Sequence, residues 1–137
     1  MNFQRVEVKT FSQATEDPEK VLRSLQTIVT TPFEPTVEKT FGHFKNPIQV
    51  FTAHFKGRKG EELLSSILSR LLPFDRERLA SEIGERFVDG KLYIRLDKMS
   101  AYEGAVTLGE GIQLIATVTS YPFDEEHIKK ELRGLLA

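Results

Sequence analysis

The chain has 137 residues, with 19 lysines and arginines against 20 acids, a net charge of -1 and no cysteine. That length suits one domain, residues 1–137, burying about two-thirds of its unfolded surface, and the missing thiols exclude disulfides, thiolate nucleophiles and Cys-type zinc sites. A balance this close to neutral excludes nucleic-acid binding by bulk charge and leaves only a local basic patch to provide it.

Residues 5–10, RVEVKT, place Val6, Val8 and Thr10 on one side and Arg5, Glu7 and Lys9 on the other, the period of a half-buried strand. Because this alternation replaces the apolar core of a signal peptide, and the longest apolar runs are short, a cytoplasmic protein with no membrane partner is expected. ATEDPEKVLRSLQTIV predicts a helix capped by Thr15 or Asp17, with Pro18 in its first turn and Val21, Leu22, Leu25, Ile28 and Val29 on one stripe. The two prolines of TTPFEP end it. PTVEKTF and PIQVFTAHFK read as a hairpin around GHFKN, though apolar residues occupy both alternations of the second strand.

GRKGEELLSSILSRLLP carries Leu63, Leu64, Ile67, Leu68 and Leu71 at helical spacing, and DRERLASEIGERFV resumes with Asp75 as the expected cap. KLYIRL alternates, AVTL reads as a short strand, and IQLIATVTS as a longer one. FDEEHIKKELRGLLA closes as a helix capped by Asp124, acidic first and basic later. The order β-α-β-β-α-α-β-β-β-α with short links predicts an α+β fold, a mainly antiparallel sheet with helices on one face.

Charge is segregated along this chain. Between Lys39 and Gly60 there is no acid, and the window holds Lys39, His43, Lys45, His54, Lys56, Arg58 and Lys59, interleaved with Phe41, Phe44, Phe51 and Phe55. Cations beside aromatic faces suit nucleic-acid backbone and base contacts, whereas phenylalanines on strands are also ordinary core residues. In a regular hairpin the GHFKN turn and the GRKG loop lie about 30 Å apart, so only a long ligand spans both. GRKG lacks the GK[ST] ending of a P-loop but leads into a helix N-terminus able to hold one phosphate.

Nothing in the chain points to catalysis. His43, His54 and His127 fall on different elements without ligand spacing, so no metal and no cofactor are expected, and Ser65-Ser66 has no nucleophile-elbow context. RLDKMSAYEG, residues 95–104, ends a strand with Arg95 and Asp97 on one side, an expected ion pair, then Lys98, a small Ala101, Tyr102 as corner anchor and Gly104 for an unusual backbone angle. Arg95 and Lys98 add charge to the basic patch.

ATEDPEKV, GHFKNPIQV, RLDKMSAYEG and IQLIATVTSYP, in this order over nearly the whole chain, resemble the archaeal RNA-binding protein family described as a predicted exosome subunit. The resemblance implies a fold like the ribosomal protein that carries 5S rRNA, also described as double-stranded-RNA-binding-domain-like, and no catalytic residue. Gly42, His43, Asn46 and Pro47 match the hairpin motif, and Arg95, Asp97, Lys98, Ala101, Tyr102 and Gly104 the later one. Met99 stands where the family pattern has glutamine and Pro18 where a capping glutamate is usual. The function expected is non-catalytic binding of structured RNA through phosphates, alone or with exosome or ribosome-related proteins. The alternative is a protein-interaction adaptor in such an assembly.

Overall fold

The computed structural model describes residues 2–42 and 46–137. Six antiparallel strands lie in the order β2-β3-β1-β6-β5-β4: β1 (Asn2–Ser12), β2 (Thr36–Phe41), β3 (Pro47–Lys56), β4 (Phe87–Val88), β5 (Lys91–Asp97) and β6 (Gly111–Thr119). The helices are α1 (Pro18–Ile28), α2 (Gly57–Arg70), α3 (Pro73–Arg86), α4 (Lys98–Tyr102) and α5 (Glu125–Leu135). The α+β class and the order of the main elements agree with the sequence reading. Three details differ: Phe87-Val88, read as the end of the DRERLASEIGERFV helix, forms β4, AVTL contributes one bridge, Leu108 to Leu96, and a short helix, α4, occupies the corner.

One face of the sheet is apolar and covered. Register places Val8 of β1 against Ala53 and Leu114, and Val6 against Phe55 and Ala116, so the even-numbered positions of β1 line up with one alternation of each neighbour. Onto this face α1 packs Val21, Leu25 and Ile28, α2 packs Leu63, Leu64, Ile67 and Leu68, α3 packs Leu79 and Ile83, and α5 packs Ile128 and Leu132. Each fully buried aliphatic side chain contributes about 1.5–3 kcal/mol relative to exposure. The helical stripe and the strand alternation thus meet in one core.

Caps fix where the helices start. Asp17 accepts from Glu19 N at 3.0 Å and Asp124 from His127 N at 3.2 Å. Asp75 is not the cap of α3: that helix begins at Pro73 after Leu72, and the Asp75 carboxylate instead accepts from Leu108 N at 3.2 Å. Proline needs no amide partner in a first turn, which lets the helix start three residues earlier. GRKG is likewise not a loop. Gly57, at φ 57°, turns β3 directly into α2, and Gly60 lies against Val6 Cγ2 and the Phe55 carbonyl, where a Cβ would sit 3.0 Å from the former.

Arg70 joins two helices. Its guanidinium donates to the Thr27 and Ile28 carbonyls at 2.6 and 2.7 Å and to the Ser66 carbonyl at 3.2 Å. The Thr27 and Ile28 carbonyls are ones that the last turn of α1 leaves without intrahelical partners. Arg70→Met should therefore cost about 2 kcal/mol, the scale of charge-assisted bonds lost from part-buried acceptors. Thermal melting of the variant checks this, and an unchanged midpoint would show that water replaces the guanidinium without loss.

A candidate nucleic-acid interface on the open sheet face

The face opposite the helices is built by the same alternation. Arg5 of β1 pairs with Lys56 of β3 and with Thr117 of β6, which pairs with Lys91 of β5. Lys56, Arg5, Thr117 and Lys91 therefore form one row across four strands, about 14 Å from end to end at the usual strand spacing. Four residues along, Thr52, Lys9, Gln113 and Arg95 form a second row. Between them run His54, Glu7, Ile115 and Tyr93. The two basic rows are about 13 Å apart.

Glu7 is the acid within this surface. It holds Arg5 Nε at 3.4 Å and His54 Nδ1 at 3.3 Å, while Arg95 pairs with Glu110 at 3.5 Å. Lys9, Lys56 and Lys91 have no acidic partner among the described residues. Three uncompensated ammonium groups on a face that no helix covers attract anions in the spaces between them. Exposed pairs such as Arg95–Glu110 hold little energy and open readily to a phosphate.

The residues expected from sequence are only partly brought together. Lys56 and Arg95 lie in the two rows, at opposite flanks of the face. Arg58 and Lys59 sit in the first turn of α2, next to Lys56, with Arg58 paired to Glu62 at 3.3 Å. Lys39 lies at the far end of the β2–β3 hairpin, opposite Gln49, on the helix-side alternation. His43 and Lys45 lie outside the described residues. Phe51 and Phe55 belong to the core, Phe41 is exposed, and Phe44 also lies outside the described residues. Residues 39–60 thus supply two separated clusters, and the basic surface around Lys56 is completed from β1 and β5. Arg5, Lys9 and Lys91 were visible in the sequence only as the polar half of alternating strands.

The RLDKMSAYEG corner follows a different logic. Asp97 does not pair with Arg95: it caps α4, accepting from Ser100 N at 2.9 Å and from the Ser100 hydroxyl, and these bonds hold its carboxyl below the usual carboxylate range. Lys98 Nζ donates to the Phe11 carbonyl at 2.9 Å and pairs with Glu16 at 2.8 Å, so its charge is engaged at the end of β1. Partial burial pushes the Glu16 carboxyl up, but bonds from Lys98 and from Gln13 N, with the Lys98 charge, outweigh it and leave the carboxyl low. Tyr102 is not the buried anchor of the corner. Ala101 is fully buried, whereas Tyr102 is 37% exposed, its ring centroid 5.7 Å from both Lys20 Nζ and Arg23 Cζ. Gly104 adopts φ 94°, the unusual angle its place in the turn suggested.

Lowered carboxyl values in the folded state stabilise fully above the unfolded value of about 4 and lose that contribution as pH falls through the folded value. Melting temperature should therefore fall on acidification below about pH 4, and Asp97→Asn, which removes one of the two corner carboxylates, should flatten that fall. Superimposable pH profiles for parent and variant would contradict the assignment.

Among the described residues no group of three or more His, Cys, Asp or Glu is placed to hold a metal ion, and no helix is long and apolar enough to cross a membrane. What the geometry defines is an antiparallel sheet with one face packed by helices and the other carrying two basic rows, a frame suited to polyanion contact. The chain belongs to the RNA-binding family, whose model matches residues 5–120. It is 36% identical over 141 residues to the RNA-binding protein PAB1135 of Pyrococcus abyssi, covering 96% of this chain and 92% of that protein. Among solved structures, protein AF2318 from Archaeglobus fulgidus, described as DUF54, superposes with a TM-score of 0.85 at 29% identity over 97% of this chain and 99% of that one. Mth689 from Methanothermobacter thermautotrophicus, a DUF54 protein, gives 0.81 at 27% identity over the whole of both chains.

Proposed function

We propose that the chain is a non-catalytic RNA-binding protein whose open sheet face contacts phosphates of structured RNA. The observation that carries this reading is the register that aligns Lys56, Arg5 and Lys91 in one row and Lys9 and Arg95 in the next. Arg58 and Lys59 extend the first row at the α2 end, and Lys39 is a secondary contact on the helix-side alternation of the hairpin; Lys98 is committed to Glu16, and the expected His43 and Lys45 lie outside the described residues. Phosphate contacts position a ligand without reading its sequence, so the protein discriminates by shape and not by base order. Alanine at Lys9, Lys56 or Lys91 should each weaken binding to unrelated structured RNAs by a similar factor, measured by fluorescence anisotropy. Losses that differ strongly between RNAs would point to base readout instead.

A second reading rests on the β2 edge. Val37 and Phe41 project on the helix-side alternation of β2 but are 49% and 71% exposed, because the helices do not reach that hairpin. An open strand edge with apolar side chains suits pairing with another protein, as an adaptor in an RNA-processing (exosome) or ribosome-related assembly would require. On this second reading the protein makes no direct RNA contact; Phe41→Ser should leave RNA affinity unchanged on the first reading and should abolish partner association only on the second. The resemblance to the archaeal RNA-binding family described as a predicted exosome subunit, with the ribosomal-protein-like fold it implies, is what favours association with such assemblies.

A further inference from the structure

Two cavities adjoin on the other side of the molecule, at the end of the sheet where β1 leaves for α1. The first, about 280 Å³, lies between α1 and α4 and is walled by Val21, Met99 and Tyr102, with Lys20 at its rim. The second, about 300 Å³, lies between the β1–α1 connection and β3 and is lined by Ser12, Lys39 and Gln49 among others. Glu16 lines both. The stretches ATEDPEKV and RLDKMSAYEG, far apart in the chain, meet at the first.

From these walls we infer that the paired cavities bind an unpaired dinucleotide end of RNA, one nucleotide in each. This rests on the RNA-binding reading and adds a subsite that the open sheet face does not contain. In the first cavity the Tyr102 ring is part-exposed beside a 74% exposed Met99, and two cations, Lys20 and Arg23, already lie 5.7 Å from its centroid. Both cations lie over the ring, so an entering base stacks on Tyr102 by displacing one of them, and the displaced cation meets the accompanying phosphate. The acids of the cavity do not oppose this. Glu16 is neutralised by Lys98 at 2.8 Å, and Asp17 is occupied by the Glu19 amide at the start of α1.

The second cavity carries an independent mark of a ligand. Ser12 is 2% exposed, yet its hydroxyl has no hydrogen-bond partner among the described residues. Buried hydroxyls are satisfied in nearly all folded proteins, and leaving one unmade costs about 1–3 kcal/mol. A ribose hydroxyl or base edge entering beside Lys39 supplies the missing bond, and the Lys39 ammonium, which has no acidic partner among the described residues, meets the accompanying phosphate. Tyr102 thus contributes to binding and little to the packing of the corner, and Ser12 retains a polar atom for which the described residues offer no partner.

The test compares a blunt RNA duplex with the same duplex bearing a two-nucleotide 3′ overhang, together with free AMP, by fluorescence anisotropy and competition. The parent should bind the overhang form about ten-fold more tightly than the blunt form, the scale of one stacked base. Tyr102→Leu, which keeps apolar bulk, should remove most of that advantage, and Tyr102→Phe should retain it. Ser12→Ala should reduce the advantage while leaving the melting temperature unchanged or raised, because an orphaned buried hydroxyl is removed. Equal affinity for blunt and overhang duplexes overturns the inference and leaves the sheet-face reading standing. Failure to bind either duplex overturns the sheet-face reading itself. AMP binding that depends on Tyr102 and Ser12, with no overhang preference, assigns the cavities to a free nucleotide and also overturns the inference.

Discussion

Gly111→Ala should destabilise the protein by about 3 kcal/mol, the sum of a positive-φ penalty and an overpacked contact. Gly111 opens β6 at φ 109°, and a Cβ there would lie 2.6 Å from Lys98 Cβ, an atom fixed close to its backbone. Lys98 has little room to yield. Its backbone N–H donates to the Glu110 carbonyl at 2.9 Å, and its side chain spans to Phe11 and Glu16. The Gly111 carbonyl also accepts from the buried Thr10 hydroxyl at 2.9 Å, so displacement is felt at the centre of the sheet. Gly104→Ala is the control: φ is 94°, but a Cβ would meet nothing within 4 Å, so only backbone strain of about 1–2 kcal/mol is lost. Chemical denaturation of both variants separates the terms. Equal losses would show that the contact with Lys98 relaxes freely.

That glycine also marks a limit of sequence reading. LGEGI contains two glycines, and nothing local reveals that Cβ atoms at Gly109 and Gly111 would strike Asp97 and Lys98. The strands and helices themselves were legible because their causes are local. Val6, Val8 and Thr10 alternate with Arg5, Glu7 and Lys9 within six residues, and the stripe of α2 repeats within one helix. Which acid does which task was harder to read. Asp97 had a neighbouring arginine and a following turn to choose between, and the unpaired Ser100 amide prevailed over an exposed charge. Asp75 lost its expected capping role because Pro73 starts α3 before it.

The basic surface was the least legible part for the same reason. A window of consecutive residues showed Lys56, Arg58 and Lys59, but register is a non-local property, and only pairing shows that Arg5 and Lys91 complete the row. The same window joined Lys39 to Lys56, which β3 holds at opposite ends of the sheet and on opposite faces. Aromatic residues misled in a similar way: Phe51 and Phe55 alternate with cations in sequence because one side faces the core.

Replacing Lys9, Lys56 and Lys91 together by alanine should produce the largest functional loss. Each removed phosphate contact releases fewer counterions and lowers the slope of log affinity against log salt by roughly one unit. At physiological salt the three changes together should weaken binding on the order of 100-fold or more, since these ammonium groups have no acidic partner among the described residues to offset their loss. Stability should change little, because all three are side chains of the uncovered face and Lys56 is fully on the surface. The parent's own slope should be shallow, reflecting a few contacts on a protein of net charge -1. A salt titration of structured-RNA binding by the parent and by this folded triple variant tests the account most directly: it predicts a slope smaller by about three units together with the affinity loss. Identical affinity and slope in the two proteins would contradict the assignment of the open sheet face to RNA.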